Sequence, residues 1–157
     1  MAFIFREKGV QWERLAFIFD DKWIIRGSIK TKRDIETSKM ILSELPIETE
    51  ALVLDEAEIL IKLPKTIKAI IRRRVHSAEP GDIIYRPQIP AISIFADYMD
   101  IYEPVENIGT IDRRDIDKLI EFARNVKNVV FVEIIGADEL EKRLRKKKVE
   151  EGGESTP

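Results

Sequence analysis

The 157-residue chain has no cysteine and a single histidine, His76. Without thiols there is no disulfide, no thiolate nucleophile and no zinc–thiolate site. One imidazole makes no His–His metal pair and leaves little room for histidine-based catalysis. Asparagine and glutamine are scarce, while isoleucine, glutamate, lysine and arginine abound. That balance is common in heat-adapted proteins, and a melting curve would check it. No apolar run approaches the ~20 residues of a membrane helix, and the start, Met1 to Arg6, is too short for a secretion signal. A cytoplasmic protein is therefore expected. Net charge is nearly absent too: 27 basic and 29 acidic side chains leave −2. The chain as a whole has no pull on nucleic acid or an anionic membrane, and neither is expected as a partner.

What is present is 44% hydrophobic and 36% charged, enough for one soluble domain with a real core and a strongly charged surface. Leu15 to Phe19 reads as a buried strand and Asp20–Asp21–Lys22 as a turn. Trp23, Ile25, Gly27 and Ile29 alternate with polar residues, which marks an antiparallel partner strand ending near Lys30. Thr31 and Asp34 suit the start of a helix whose stripe is Ile35, Ser38, Ile41, Leu42 and Leu45, stopped by Pro46. A hairpin follows, Thr49 to Leu54 and Ile59 to Leu63, turning at Asp55–Glu56 and ending at Pro64. Thr66 to His76 reads as a strand, with a helix as the alternative. Pro80–Gly81 sets a turn, because proline fixes φ at its first central position and glycine accepts positive φ at the second.

Two strands come next, Ile83 to Tyr85 and Ala91 to Ala96. Pro87 and Pro90 bracket the corner between them, since neither can donate to a sheet ladder. Asp97 to Pro104 is a loop rich in acids and tyrosines. Val105 to Ile111 is a strand in which Gly109 permits close backbone approach. Asp112 is expected to cap the best helix, with Ile116, Leu119, Ile120, Ala123 and Val126 at helical spacing. Val129 to Ile135 is an apolar strand apart from Glu133. Asp138 to Lys148 is a short charged helix anchored by Leu140 and Leu144, and Glu150 to Pro157 a disordered tail. Many short strands and two widely separated helices are not a βαβ alternation. They imply a mainly β protein, an antiparallel sheet closed into a barrel or sandwich with helices at its ends. The organisation expected is an N-terminal arm (1–12), a barrel domain (13–135), and a charged helix with tail (136–157).

The order of these motifs resembles a family of small prokaryotic cyclophilin-like proteins. The resemblance rests on Gly81-Asp82-Ile83-Ile84-Tyr85-Arg86-Pro87, the apolar strand after it, and Val105-Glu106-Asn107-Ile108-Gly109-Thr110-Ile111 before a helix. Leu45-Pro46-Ile47-Glu48 after a helix and a hairpin ending at Leu63-Pro64 fit the same pattern, over roughly residues 13 to 135. The resemblance implies a closed eight-stranded cyclophilin-like antiparallel barrel capped by two helices, here followed by a short C-terminal helix. The chain departs from the pattern in three ways. Arg86 stands where the family often has a second aromatic, Asp97 to Glu103 replaces a Gly/Thr/Pro-rich loop, and both termini are extended. Cyclophilins isomerise prolyl bonds with an arginine and a phenylalanine close together on one strand, in a Phe-His-Arg-like motif. Nothing here matches it: Phe5-Arg6 is terminal, and Arg74-Val75-His76 lacks both the order and the aromatic. No catalytic residue is therefore assigned.

Other clusters have plainer readings. Arg72-Arg73-Arg74 with Lys65 and Lys68 is a solvated strand edge rather than a phosphate or RNA site. Asp97, Asp100 and Glu103 share a loop but match no metal-binding spacing, so no metal and no cofactor are expected. Trp12 and Trp23 are expected to pack. Tyr85, Arg86, Ser93, Phe95 and Asn107 lie on successive strands, and aromatic walls with an arginine and an amide suit a small anionic or peptidic ligand. The function expected is a non-catalytic binding module for a peptide segment or small molecule. The alternatives are a weak peptidyl-prolyl isomerase and a structural or assembly protein.

Overall fold

The computed structural model describes residues 11–31 and 36–154, without the side chains beyond 150. In chain order the strands are β1 (Trp12–Phe19), β2 (Trp23–Lys30), β3 (Ile47–Leu54), β4 (Glu58–Lys62), β5 (Ser77–Ala78), β6 (Asp82–Arg86), β7 (Ala91–Phe95), β8 (Met99–Asp100), β9 (Glu106–Ile111) and β10 (Val129–Gly136). The helices are α1 (Glu36–Glu44), between β2 and β3, α2 (Ile116–Asn125), between β9 and β10, and α3 (Ala137–Glu154). Eight strands close into a barrel in the order β1-β10-β3-β4-β7-β6-β9-β2, while β5 and β8 form a separate two-stranded ribbon. Every pairing is antiparallel. Closure leaves the eight barrel strands without a free edge.

Turn chemistry makes the hairpins. Asp20 and Asp21 (φ 55° and 56°) and Asp55 and Glu56 (φ 53° and 57°) take the left-handed conformation. It is costly for most side chains but is tolerated by aspartate. Gly81 turns with φ 96°. At Gly109 the reason for glycine is contact: a Cβ there would lie 2.3 Å from the Ser28 carbonyl oxygen. Beside it β6 and β9 slip register between Ile83 and Ile84, so that Ile108 is the extra residue of a bulge.

Alternation does the rest. Phe17, Ile25, Ile61, Tyr85, Ile92 and Val132 point inward and fill the barrel. Helix α2 seals the end at the β1–β2 turn, its Phe122 ring 4.5 Å from Phe19 and 5.5 Å from Trp23. Ile41 brings α1 into the same core. Helix α3 lies against the outside through Leu140, which joins Ala16, Ile18 and Ile135. Arg143 adds two hydrogen bonds to Glu133, at 2.7 and 2.9 Å. None of the described helices is long and apolar enough to cross a membrane.

Several expectations are corrected. Thr66 to His76 is not a strand: it is irregular, with Ile67 buried and a lone bridge from Arg74 to Glu106. Its cations need water, and the Arg73 N–H donates to the Glu106 carboxylate at 3.1 Å rather than to a ladder. Asp112 caps nothing with its side chain. Its carboxylate pairs with Arg14 at 2.7 Å, a short 3₁₀ turn (Arg113–Asp115) intervenes, and α2 starts after Asp115. Trp12 is not packed but 47% exposed, with the Lys30 ammonium 5.9 Å from its ring centre. Helix α3 runs past Lys148 to Glu154. Pairs one turn apart, such as Glu139–Arg143 at 3.1 Å, support it where apolar anchors are few. The acidic loop 97–104 contains β8. Asp34 and Ile35, read as part of the first helix, and residues 1–10 of the arm lie outside the described residues.

Candidate functional site

Strands β4, β6 and β7 lie side by side, and their alternation sends a second set of side chains to the outer wall. The register sets Leu60 beside Ser93, Ser93 beside Ile84, and Glu58 beside Phe95. The β5–β8 ribbon and the chain after it cover part of this wall, burying Ala78, Ile84, Phe95, Ile101 and Val105 as a separate apolar cluster. The ribbon is held down by backbone bonds from Val75 N–H to Val105 O (3.0 Å) and from Ile101 N–H to His76 O (2.8 Å).

Where that cover stops, a cleft of about 280 Å³ opens. Leu54, Leu60, Ile89, Pro104 and Val105 give it apolar walls, and Glu58, Arg86 and Glu103 give it charge. The polar floor is a compact network. The Arg86 guanidinium donates from Nε to Glu58 Oε2 and to Ser93 Oγ, each at 2.9 Å, and its Nη2 lies 2.8 Å from the same carboxylate oxygen as an ion pair. Ser93 Oγ–H donates to Glu58 Oε2 at 2.5 Å. Glu103 pairs with Arg86 from the other side. Glu58 is 5% exposed and Ser93 is fully buried, whereas the Glu103 side chain is 51% exposed. A carboxylate as deep as Glu58 is stable only with such partners, and Arg86 satisfies it with directional, charge-assisted bonds. Two carboxylates and one guanidinium leave the floor with a formal charge of −1. Both hydrogen bonds to Glu58, and its ion pair with Arg86, fall on Oε2, and Oε1 has no hydrogen-bond partner among the described residues. The arrangement accepts hydrogen bonds and favours a donor or cation over an anion.

Of the five residues singled out from the sequence, Arg86 and Ser93 come together in this network. Phe95 shares their wall but lies in the cluster with Ile84 under the ribbon. Tyr85 is on the other side of β6, fully buried in the barrel, and its hydroxyl accepts the Ala69 N–H at 3.2 Å. Asn107 closes the bulge, its Oδ1 accepting the Gly109 N–H at 3.1 Å. Glu58 and Glu103 were missed. Glu58 occupies an outward strand position that normally meets water. The available signal was Arg86: a lone arginine among apolar strand residues calls for a buried counter-charge. The arginine run divides, with Arg72 3.7 Å from Glu36 and Arg74 donating to the Tyr102 carbonyl at 2.5 Å. Among the described residues no group of three acidic or histidine side chains is placed to hold a metal ion.

The model of the cyclophilin-like family matches residues 30–134. Among solved structures, that of McbB in complex with tryptophan is similar with a TM-score of 0.66 over 78% of this chain, at 14% identity. The chain spans 44% of the length of McbB. The solution structure of a hypothetical protein from Archaeoglobus fulgidus is similar with a TM-score of 0.58 and 19% identity, over 84% of this chain and 100% of that one. At such identities both likenesses are of fold alone. No curated protein matches the sequence significantly. From the family match across most of its length, the chain belongs to the cyclophilin-like family.

Proposed function

We propose that the chain is a non-catalytic binding module. Its outer-wall cleft takes a small molecule, or one or two residues of a peptide segment, presenting apolar surface and an N–H or cationic group. The observation that carries this reading is the buried Glu58–Ser93–Arg86 network, with Glu103 beside it, at the base of an otherwise apolar cleft. Few, fixed polar groups within apolar walls are the usual composition of a small-ligand site. About 280 Å³ lies at the lower end of the range for such sites, about 300–1,000 Å³, which favours a small ligand. The neighbour McbB was solved in complex with tryptophan, and a small-molecule ligand for this chain is in keeping with that.

Prolyl isomerisation is disfavoured by the same geometry. It asks for a guanidinium available to a twisted amide beside an aromatic ring, but Arg86 already serves Glu58, Ser93 and Glu103, and no aromatic side chain lines the cleft. An assembly role has one supporting observation. Val129 and Leu52 are exposed neighbours across β10 and β3, with exposed Phe131 two residues on, and Leu60 continues their row to the cleft.

Calorimetric titration of 2-phenylethylamine, tryptophan amide and phenylacetate tests the leading reading. The two amines bind and phenylacetate does not enter this cleft. Glu103→Gln, at a half-exposed position, weakens amine binding while the melting temperature holds. Absence of amine binding, or binding indifferent to Glu103→Gln, overturns the reading. A protease-coupled assay on a proline peptide is expected to show no acceleration.

A further inference from the structure

Across the turn at residues 87–90 from the Arg86 cleft lies a second cleft, of about 420 Å³, with Lys65, Lys68, Tyr85 and Gln88 among its lining and no acidic side chain. Its walls include Pro87, Ile89 and Pro90. Lys65 and Lys68 are exposed, and neither pairs with a carboxylate among the described residues. Two lysines on an irregular segment would by themselves be an ordinary solvated surface. Tyr85 makes the difference. Its ring is locked in the barrel core and fully buried, and its oxygen accepts the Ala69 N–H at 3.2 Å. A phenol also has one proton to donate. No acceptor among the described residues takes it. Buried donors are nearly always matched, so one left over at the base of a cleft indicates what the cleft lacks.

We propose that this cleft is an oxyanion site, in which the Tyr85 O–H donates to a carboxylate or phosphate oxygen and Lys65 and Lys68 supply the counter-charge. The volume exceeds that of a bare ion, and the proline and isoleucine walls provide for an apolar body attached to the anionic group. Burial raises the Tyr85 phenol above its ordinary pKa, so it keeps its proton through neutral pH and acts as a donor. The N–H of Ala69 fixes the oxygen, and the core fixes the ring, so the donor is preorganised at little entropic cost. The site shares the turn residues Pro87, Gln88 and Ile89 with the Arg86 cleft but differs in chemistry: its sign of charge is opposite, and none of Glu58, Ser93 or Glu103 lines it.

The test is a ¹H–¹⁵N titration of the whole chain with phenylacetate and with phenyl phosphate, following the backbone amides of Lys68 and Ala69, which line this cleft and not the other. Saturable shifts at both positions are expected with at least one probe, and the tighter probe assigns the anion. A peptide acid and its C-terminal amide form the second arm. Binding of the acid alone, tighter than phenylacetate, assigns a peptide terminus, and equal affinity with phenylacetate assigns a small-molecule carboxylate. Tyr85→Phe keeps the ring and removes one charge-assisted bond, so it weakens binding about tenfold. Lys65→Met/Lys68→Met, at exposed positions, weakens it at least as much and leaves the fold intact. Glu103→Gln leaves it unchanged, which separates this outcome from that of the amine cleft. No shift at Lys68 and Ala69 with either probe, or unchanged affinity in both variants, overturns the proposal.

Discussion

Two clefts flank one turn, Pro87 to Pro90, and they are built on different principles. The Arg86 cleft has its charges inside the wall. Arg86 is 11% exposed and Glu58 6% by side chain, and each is held by the other. The Tyr85 cleft has its charges outside, on Lys65 and Lys68 in an irregular segment, and only the hydroxyl of Tyr85 within. The first cleft has formal charge −1 and the second +2. The difference teaches what the barrel contributes. A strand holds a side chain on one wall with a fixed register, so neighbouring strands β4, β6 and β7 build a rigid polar network on one side of the wall. The same strand β6 sends the next residue, Tyr85, through to the other side. One dipeptide, Tyr85–Arg86, thereby lines both clefts.

The largest effect that would sharpen this contrast is on stability. Arg86→Met leaves Glu58 buried without its counter-charge and is expected to cost about 3–5 kcal/mol in a urea titration. Lys68→Met, in the other cleft, is expected to stay within about 0.5 kcal/mol. Equal costs would break the comparison. Tyr85→Phe is intermediate: it strands the Ala69 N–H and is expected to cost about 1 kcal/mol by the same measurement.

The pH response separates the regions by sign. The folded Tyr85 phenol has its pKa raised above 10.0 by burial. Its contribution is complete below the unfolded value and is lost as pH rises through the raised folded one, so unfolding midpoints should fall in alkali and fall less in Tyr85→Phe. Glu133, away from both clefts, has its pKa lowered from 4.5 chiefly by the Arg143 hydrogen bonds. Its contribution is present above the unfolded value and is lost as pH falls through the lowered folded one. Protection of the α3 amides, taken relative to their intrinsic exchange at each pH, should therefore fall in acid, and in Glu133→Gln already at neutral pH. The stability change is small, about 1 kcal/mol or less, because Arg143 is partly exposed and solvent screens the pair.

Much of the barrel was legible because alternation and turn chemistry are local. Trp23 to Lys30 shows its inward set in its own spacing, and Pro80–Gly81, Pro87 and Pro90 mark the turns. The segment 66–76 was misread because its apolar residues fit a strand while its cations and the Glu106 carboxylate, thirty residues away, decide otherwise. Asp112 was read as a cap because helix entry is local, whereas its real partner, Arg14, is brought by barrel closure. The candidate site was half legible for the same reason. Arg86 and Ser93 stand out as polar groups in apolar strands, but Glu58 looks like any outward strand residue until β4 is set beside β7. Tyr85 and Arg86 are adjacent in sequence, and only the pleat separates them onto two walls.

The most direct measurement is a ¹H–¹⁵N titration with 2-phenylethylamine that follows Glu58, Ser93 and the Arg86 Nε–H together with Ala69. Saturable shifts at the first three with Ala69 unmoved are the predicted result. No response at Glu58, Ser93 and Arg86, or the same response to phenylacetate, would contradict a donor-binding cleft on the outer wall of this barrel.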